Sequence, residues 1–231
     1  MSWRDAAKKR AAAEAVKHVE DGFVLGIGSG STVAFAIKEI GRKIKEENLQ
    51  VLGIPTSYQS FLLAVQHGIP TTTLNEHPDV DLDIDGADQI DGELNLIKGL
   101  GGALTKEKIV SAAAERFIVV ADETKLTDKI GKGQMLPVEV LPFAVPLVSS
   151  KIKDIGGKPV LREKKDYSGP YITDNGNFII DVDFGAIDDP ADLESKLKLI
   201  PGVIETGLFI GVAHIAYIGT ETDVKTIRKK D

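Results

Sequence analysis

The chain contains no cysteine, which rules out disulfides, thiolate nucleophiles and cysteine-based zinc sites and suits acid–base chemistry in a reducing compartment. Histidine is also scarce: His18, His67, His77 and His214 are scattered, without the spacing of a metal-ligand set. Ser57 lacks a G-x-S-x-G elbow, so a serine hydrolase has no support. No hydrophobic run approaches the length of a membrane span, and the opening ten residues are charged before turning Ala-rich, unlike a secretory leader. The formal net charge of -7 opposes general attraction to nucleic acid or an acidic membrane surface. These absences leave a cytoplasmic protein as the expectation, and any anionic ligand must be caught locally.

What is present is a chain of 231 residues, 42% hydrophobic and 27% charged, large enough for a substantial core and near the size at which one core splits in two. Ser2 can cap an Ala-rich helix running to about Asp21-Gly22, and residues 23–27 then read as a short buried strand. Gly28-Ser29-Gly30-Ser31-Thr32 breaks that strand and opens a helix over 33–45. Strands over 51–54 and 71–74 flank a helix over 57–66. Val80, Leu82 and Ile84 alternate with Asp81, Asp83 and Asp85 in a further strand, Thr105 can cap a helix bearing Glu107, and 117–121 is a strand again. This alternation predicts a mostly parallel, Rossmann-like α/β sheet with helices on both faces. After Gly131-Lys132-Gly133 the order becomes βαββαβ, over 138–140, 146–155, 159–162, 178–184, 190–200 and 203–210, which is the order of a ferredoxin-like α+β unit. Residues 214–218 offer a strand that returns to the first sheet. The expected domains are therefore 1–131 with 212–231, and 132–211. The basic run over 225–230 reads as a solvated helix end.

The chemistry concentrates in two places. Gly28-Ser29-Gly30-Ser31-Thr32 lies between a strand and a helix, where free N–H groups, hydroxyls and the helix dipole suit an anion. Val33 stands where a dinucleotide fingerprint needs Gly, and no P-loop lysine follows; the plain alternative is an ordinary βα turn. The second place runs from Asp85 to Glu107. A D-x-D-x-D-G run invites a calcium loop, but with Asp81 as position one the bidentate Glu should fall at Gly92, and the run lies in a strand. Asp79, Asp81 and Asp83 read as a solvated strand face. Asp85 and Asp88 differ, because a strand end followed by Gly86-Ala87 can turn both carboxylates into one cleft, as proton shuttle and hydroxyl anchor. Lys98, ahead of Gly99-Leu100-Gly101-Gly102, can place a cation beside a developing oxyanion or simply sit at a loop edge. Glu107 falls in a first helical turn, where the dipole complements its charge. Lys125 follows a strand and can reach the mouth of the cleft.

With these residues in hand, the chain resembles the A-type ribose-5-phosphate isomerases over nearly its whole length. The likeness is carried by residues 28–32, by Asp83-Ile84-Asp85-Gly86-Ala87-Asp88, by the stretch from Ile97 to Glu107, and by Val120-Ala121-Asp122-Glu123-Thr124-Lys125. It implies a cofactor-free and metal-free aldose–ketose isomerase interconverting ribose 5-phosphate and ribulose 5-phosphate; the net charge leaves no nucleic-acid or membrane partner expected, and the sheet and helix surfaces of the small βαββαβ domain suit self-association as a homodimer or homotetramer. It also implies Glu107 as the base that moves the carbon-bound proton, Lys98 as the group steadying the enediolate oxygen, and Asp85 and Asp88 as handlers of hydroxyl protons. Ser29, Gly30, Ser31 and Thr32 match a phosphate loop, with Lys8 on its flank. Gly86, Ala87, Gly99, Leu100, Gly101 and Lys125 match further substrate contacts. Two departures stand out: Gln89 occupies a position where the family often has Glu, and Leu100 interrupts the glycine run, where it would narrow the sugar pocket if it pointed inward. A sugar-phosphate deaminase, a coenzyme A transferase and a catalytically silent sugar-phosphate sensor are the competing readings; Glu107 together with Lys98 argues against the sensor.

Overall fold

The computed structural model describes residues 2–166 and 168–229. In chain order the described elements are α1 (Trp3–Val16), β1 (Val24–Ile27), α2 (Val33–Glu47), β2 (Leu52–Pro55), α3 (Tyr58–Gln66), β3 (Val80–Asp85), β4 (Gln89–Ile90), β5 (Leu96–Ile97), α4 (Leu104–Ala113), β6 (Ala114–Asp122), β7 (Leu136–Val140), α5 (Val145–Asp154), β8 (Lys158–Leu161), β9 (Phe178–Asp183), α6 (Pro190–Lys198), β10 (Val203–Thr206), β11 (Leu208–Phe209), β12 (Ile215–Gly219) and β13 (Val224–Arg228). They fall into two compact units. Unit 1 comprises the described residues of Met1–Ala87, Lys106–Lys125 and Gly211–Asp231, and unit 2 comprises Asp88–Thr105 and Leu126–Ile210.

Unit 1 is built on a sheet in the order β13-β12-β6-β3-β1-β2, parallel except where β13 runs antiparallel to β12. Alternate residues Leu25, Ile27, Leu82, Ile84, Ile118 and Val120 are buried in one cluster with Ala11 and Ala15 of α1 and Ile37 and Ile40 of α2. Each large side chain removed from water in this way contributes about 1.5–3 kcal/mol. α4 covers the other face, where Val110 clusters with Ile54 and Val80. Ser2 caps α1 as expected, in a reciprocal capping box with Asp5.

Three local expectations are corrected. α1 stops at Val16, short of residues 21–22, where His18 instead reaches the Tyr217 hydroxyl at 2.6 Å and the Gly22 N–H donates to the Gln50 carbonyl. Residues 71–74 form no strand beyond an isolated Gly53–Thr71 bridge, because the Thr73 carbonyl closes a turn onto Glu76 and His77 while Thr72 and Thr73 donate their hydroxyls to the Glu76 carboxylate. The basic stretch is an edge strand, β13, returned by a turn in which Thr220 and Asp223 bond reciprocally, and its exposed Lys225 and Arg228 are the charges that protect a sheet edge. Lys230 lies outside the described residues.

Unit 2 contains the βαββαβ order as a four-stranded antiparallel sheet, β10-β7-β9-β8, with α5 and α6 packed against it. Asp189 caps α6, whose first residue is Pro190. The core gathers Val138, Val140, Val148, Ile152, Ile180, Val182 and Leu197. A separate three-stranded ribbon, β11-β5-β4, belongs to the same unit. This ribbon is why residues 88–105 group with unit 2 and not with the first sheet as the boundary at 131 expected: β5 pairs with β11, which directly follows β10 in the chain. The Ile90–Leu126 bridge ties in the start of the 126–131 segment in the same way.

Candidate active site

In unit 1 the loop after β1 and the end of β3 are neighbours because β1 and β3 pair in parallel, bringing their C-terminal ends to one edge, where open α/β sheets bind ligands. Asp85, fully buried at the end of β3, accepts the Ser29 N–H at 3.0 Å and its neighbour Gly86 N–H at 2.6 Å on one carboxylate oxygen. The Ser29 hydroxyl lies 3.0 Å from that of Thr56 and donates to Ser57 at 2.6 Å. Gly30 holds a φ of +104°, and Thr32 opens α2 without a side-chain cap. The Lys8 ammonium donates to the Ser31 hydroxyl at 2.9 Å. Hydroxyls, a cation and the start of a 15-residue helix thus converge on residues 29–32, the parts of an anion site.

Gly26 and Gly28 share a face of β1 and its extension, and Asp83 and Asp85 share the matching face of β3. A Cβ at Gly26 would fall 2.5 Å from Asp83 Oδ1 and 2.6 Å from Val110 of α4, so that face is the one α4 covers. Glu107 precedes Val110 by three residues and therefore lies on the same side of α4, one turn nearer its start. It is buried. Asp83 is buried as well, and Asp81 accepts the Val24 N–H at 2.7 Å, so the expected solvated acidic face is corrected for both: one lies under α4 and the other braces β1. Lys125 is half-buried in the 3-10 turn Glu123–Lys125 that follows β6. Thr105 does not cap α4. It is the second residue of that helix, and its hydroxyl donates to Glu139 at 2.5 Å.

Unit 2 carries Asp88, Lys98 and the glycine loop. The Asp88 N–H bonds to the Ile97 carbonyl at 2.8 Å and its carboxylate accepts the Leu100 N–H at 2.9 Å. Lys98 is buried, its N–H bonded to Gly207 and its ammonium 5.4 Å from the centre of the Phe209 ring, a cation–π contact. Gly99 and Gly102 both have positive φ, +104° and +79°, where glycine alone is unstrained. Leu100 is 47% exposed, while its N–H is spent on Asp88. Gln89 uses both ends of its amide, donating to the Lys132 carbonyl and accepting the Gly131 N–H, each at 2.8 Å.

The structure therefore joins Ser29 to Asp85 and Lys8 to Ser31 within unit 1, and Asp88 to Leu100 within unit 2. The sequence reading missed Thr56 beside the anion loop, and it placed Ser57 at the start of a helix and rejected it as a hydrolase nucleophile without linking it to the loop. Their signal was a pair of hydroxyl residues at a parallel strand's C-terminal end. It also missed Glu139, Arg162 and Tyr171, for which no local pattern exists.

Comparisons with known proteins identify the family of the chain. The family model for ribose 5-phosphate isomerase A (phosphoriboisomerase A) matches residues 52–223. The chain is 54% identical over 218 residues to the ribose-5-phosphate isomerase A of Methanosarcina acetivorans, covering 94% of this chain and 92% of that protein. It is 47% identical over 223 residues to that of Pyrococcus horikoshii, covering 96% and 97%. Among solved structures, a D-ribose-5-phosphate isomerase in complex with phospho-erythronic acid matches with a TM-score of 0.95 at 46% identity, covering 99% of this chain and 100% of that one. Ribose 5-phosphate isomerase from Plasmodium falciparum matches with a TM-score of 0.93 at 36% identity, covering 98% and 100%.

Proposed function

The chain belongs to the ribose 5-phosphate isomerase A family, and from that premise we propose how its own residues carry the reaction. It is an aldose–ketose isomerase that interconverts D-ribose 5-phosphate and D-ribulose 5-phosphate through an enediolate. Glu107 takes the proton from C2 of the open-chain aldose, the C2–H electron pair becomes the C1–C2 double bond, and the protonated Glu107 returns the proton to C1. Lys98 steadies the oxygen on which negative charge develops. Asp85 and Asp88 accept and return hydroxyl protons during ring opening and between O1 and O2. Ser29, Gly30, Ser31 and Thr32 hold the phosphate with Lys8 at their flank, while Gly86, Ala87, Gly99, Leu100, Gly101 and Lys125 line the sugar.

The physics supports this division. A positioned base contributes about two to four orders of magnitude, so preorganised charge around the enediolate must supply much of the rest. The phosphate lies remote from the reacting carbons, and its binding energy can orient them. The observation that carries the role of Glu107 is its burial on the side of α4 that packs against the Gly26 and Asp83 face. Phospho-erythronic acid, a phosphorylated carboxylate that mimics the anionic enediolate, provides the test. Glu107→Gln is expected to bind it as the unaltered enzyme does while losing exchange of C2–H with solvent. Exchange that survives the substitution removes Glu107 as the base.

The proposal extends to a cytoplasmic location and to a homodimer or homotetramer. Phe143 and Leu199 of unit 2, 99% and 82% exposed, support self-association. A monomeric mass in light scattering overturns it.

A further inference from the structure

Arg162, which directly follows β8, is locked in place by Asp181 of β9. Its Nε donates to Oδ2 at 2.7 Å and Nη2 donates to Oδ1, with the two side chains only 12% and 17% exposed. The remaining nitrogen, Nη1, donates to two successive carbonyls of the glycine loop, Gly99 and Leu100, both at 3.0 Å. Tyr171 completes the grip. Its N–H bonds to the Arg162 carbonyl at 2.8 Å, its ring centre lies 5.8 Å from the guanidinium carbon, and its hydroxyl donates to the next carbonyl along, that of Gly101, at 3.1 Å. A Cβ at Gly102 would fall 2.6 Å from that ring, so ring and loop are packed flush.

Three consecutive carbonyl oxygens are thus held by one pair of side chains. In a trans peptide the following N–H points opposite its carbonyl, so gripping these oxygens fixes the directions of the Leu100, Gly101 and Gly102 N–H groups. The Leu100 N–H is the one that Asp88 accepts. A mostly buried ion pair is tolerated only when its spare donors are satisfied, and here the loop carbonyls satisfy them. Loop conformation and ion pair therefore depend on each other.

We propose that Arg162, assisted by Tyr171, is the positioning residue of the isomerase's glycine loop and, through the Leu100 N–H, of the Asp88 carboxylate. It acts through the loop and does not itself meet the substrate. This rests on the assignment of Asp88 and the loop to substrate contact.

The test uses two variants and two ligands. In the first variant, Arg162→Met with Asp181→Leu replaces the pair by apolar residues of similar size, so that no buried charge is orphaned. In the second, Tyr171→Phe removes one hydroxyl. With folding checked by thermal unfolding, the double variant is expected to lose about 100-fold in kcat, the scale of a loop displaced by an ångström, and Tyr171→Phe about fivefold, the scale of one hydrogen bond. Phospho-erythronic acid should bind more weakly to both, while inorganic phosphate, which reports the Ser29 loop, should bind unchanged. The proposal is overturned if a folded variant keeps the unaltered kcat and phospho-erythronic acid affinity, or if inorganic phosphate affinity falls equally. If the double variant does not fold, Tyr171→Phe decides alone. Asp88→Asn separates this from the underlying assignment: full activity there defeats the assignment itself, whereas lost activity there with intact activity in the positioning variants defeats only the role of Arg162.

Discussion

The N–H of Ser29 donates to Oδ1 of Asp85 at 3.0 Å, and through that bond a buried carboxylate at the end of β3 sets the shape of the loop that follows β1. The same oxygen accepts the Gly86 N–H. One carboxylate oxygen therefore holds both the start of the proposed phosphate loop and the turn at Gly86.

The closeness of these turns makes Gly28 a sensitive position. A Cβ there would lie 2.0 Å from Asp85 Oδ1 and 2.1 Å from its carboxyl carbon. Gly28→Ala must displace the carboxylate, and kcat/KM for ribose 5-phosphate is expected to fall about 100-fold while the chain still folds. Activity near that of the unaltered protein would show that Asp85 need not occupy its observed place.

Glu139, buried in β7, divides its two oxygens: Oε1 accepts from Thr173, Asn175 and Asn177, and Oε2 accepts the Thr105 hydroxyl at the start of α4. Thr105→Val removes the bond that the Thr105 hydroxyl makes to this carboxylate. The expected outcome is a loss of about 1–3 kcal/mol in unfolding free energy, the cost of leaving a buried acceptor one donor short. Thr105→Ser should recover most of it. Urea denaturation of the two variants side by side checks this, and equal midpoints would contradict it.

Gln89 donates to one carbonyl and accepts from one N–H. A glutamate can do only the second, and its charge would face the Lys132 carbonyl. Gln89→Glu is expected to destabilise the protein by about 1 kcal/mol, measured as a lower denaturant midpoint at neutral pH. An unchanged midpoint would mean that the Lys132 contact contributes nothing.

His18 gives the protein a pH response. Burial first, then the charges of Arg116 and Arg228, hold it below its ordinary value, with Glu14 opposing. The unfolded chain therefore binds more protons than the folded one in the window below the ordinary histidine value, so stability rises with pH there. The stabilisation is complete above a pH of about 6.5 and is lost as the pH falls towards the depressed folded value. His214 is shifted in the same direction, again mainly by burial, and adds to the trend. Denaturant midpoints at neutral and mildly acidic pH should differ less in His18→Gln than in the unaltered protein; an identical difference would clear His18 of responsibility.

Local patterns carried much of this enzyme's architecture. Residue alternation and turn chemistry were enough to place Asp85 at a strand's end, Ser29 to Thr32 between strand and helix, Glu107 in a helix's first turn and the βαββαβ order of unit 2, because each depends on neighbours within a few residues. The same local rules misread Asp81 and Asp83 as solvated, since nothing in their own strand announces that α4 will cover that face or that Val24 will need an acceptor. They were silent about Arg162, whose partners Gly99 and Leu100 lie 63 and 62 residues away, and about Glu139, 34 residues from Thr105. Strand order and unit membership exist only after the chain has closed its long loops. The residues proposed to hold the candidate catalytic segments in place, as distinct from those proposed to perform the chemistry, are selected at that stage, by which carbonyls and hydroxyls the packed sheets bring within hydrogen-bond reach.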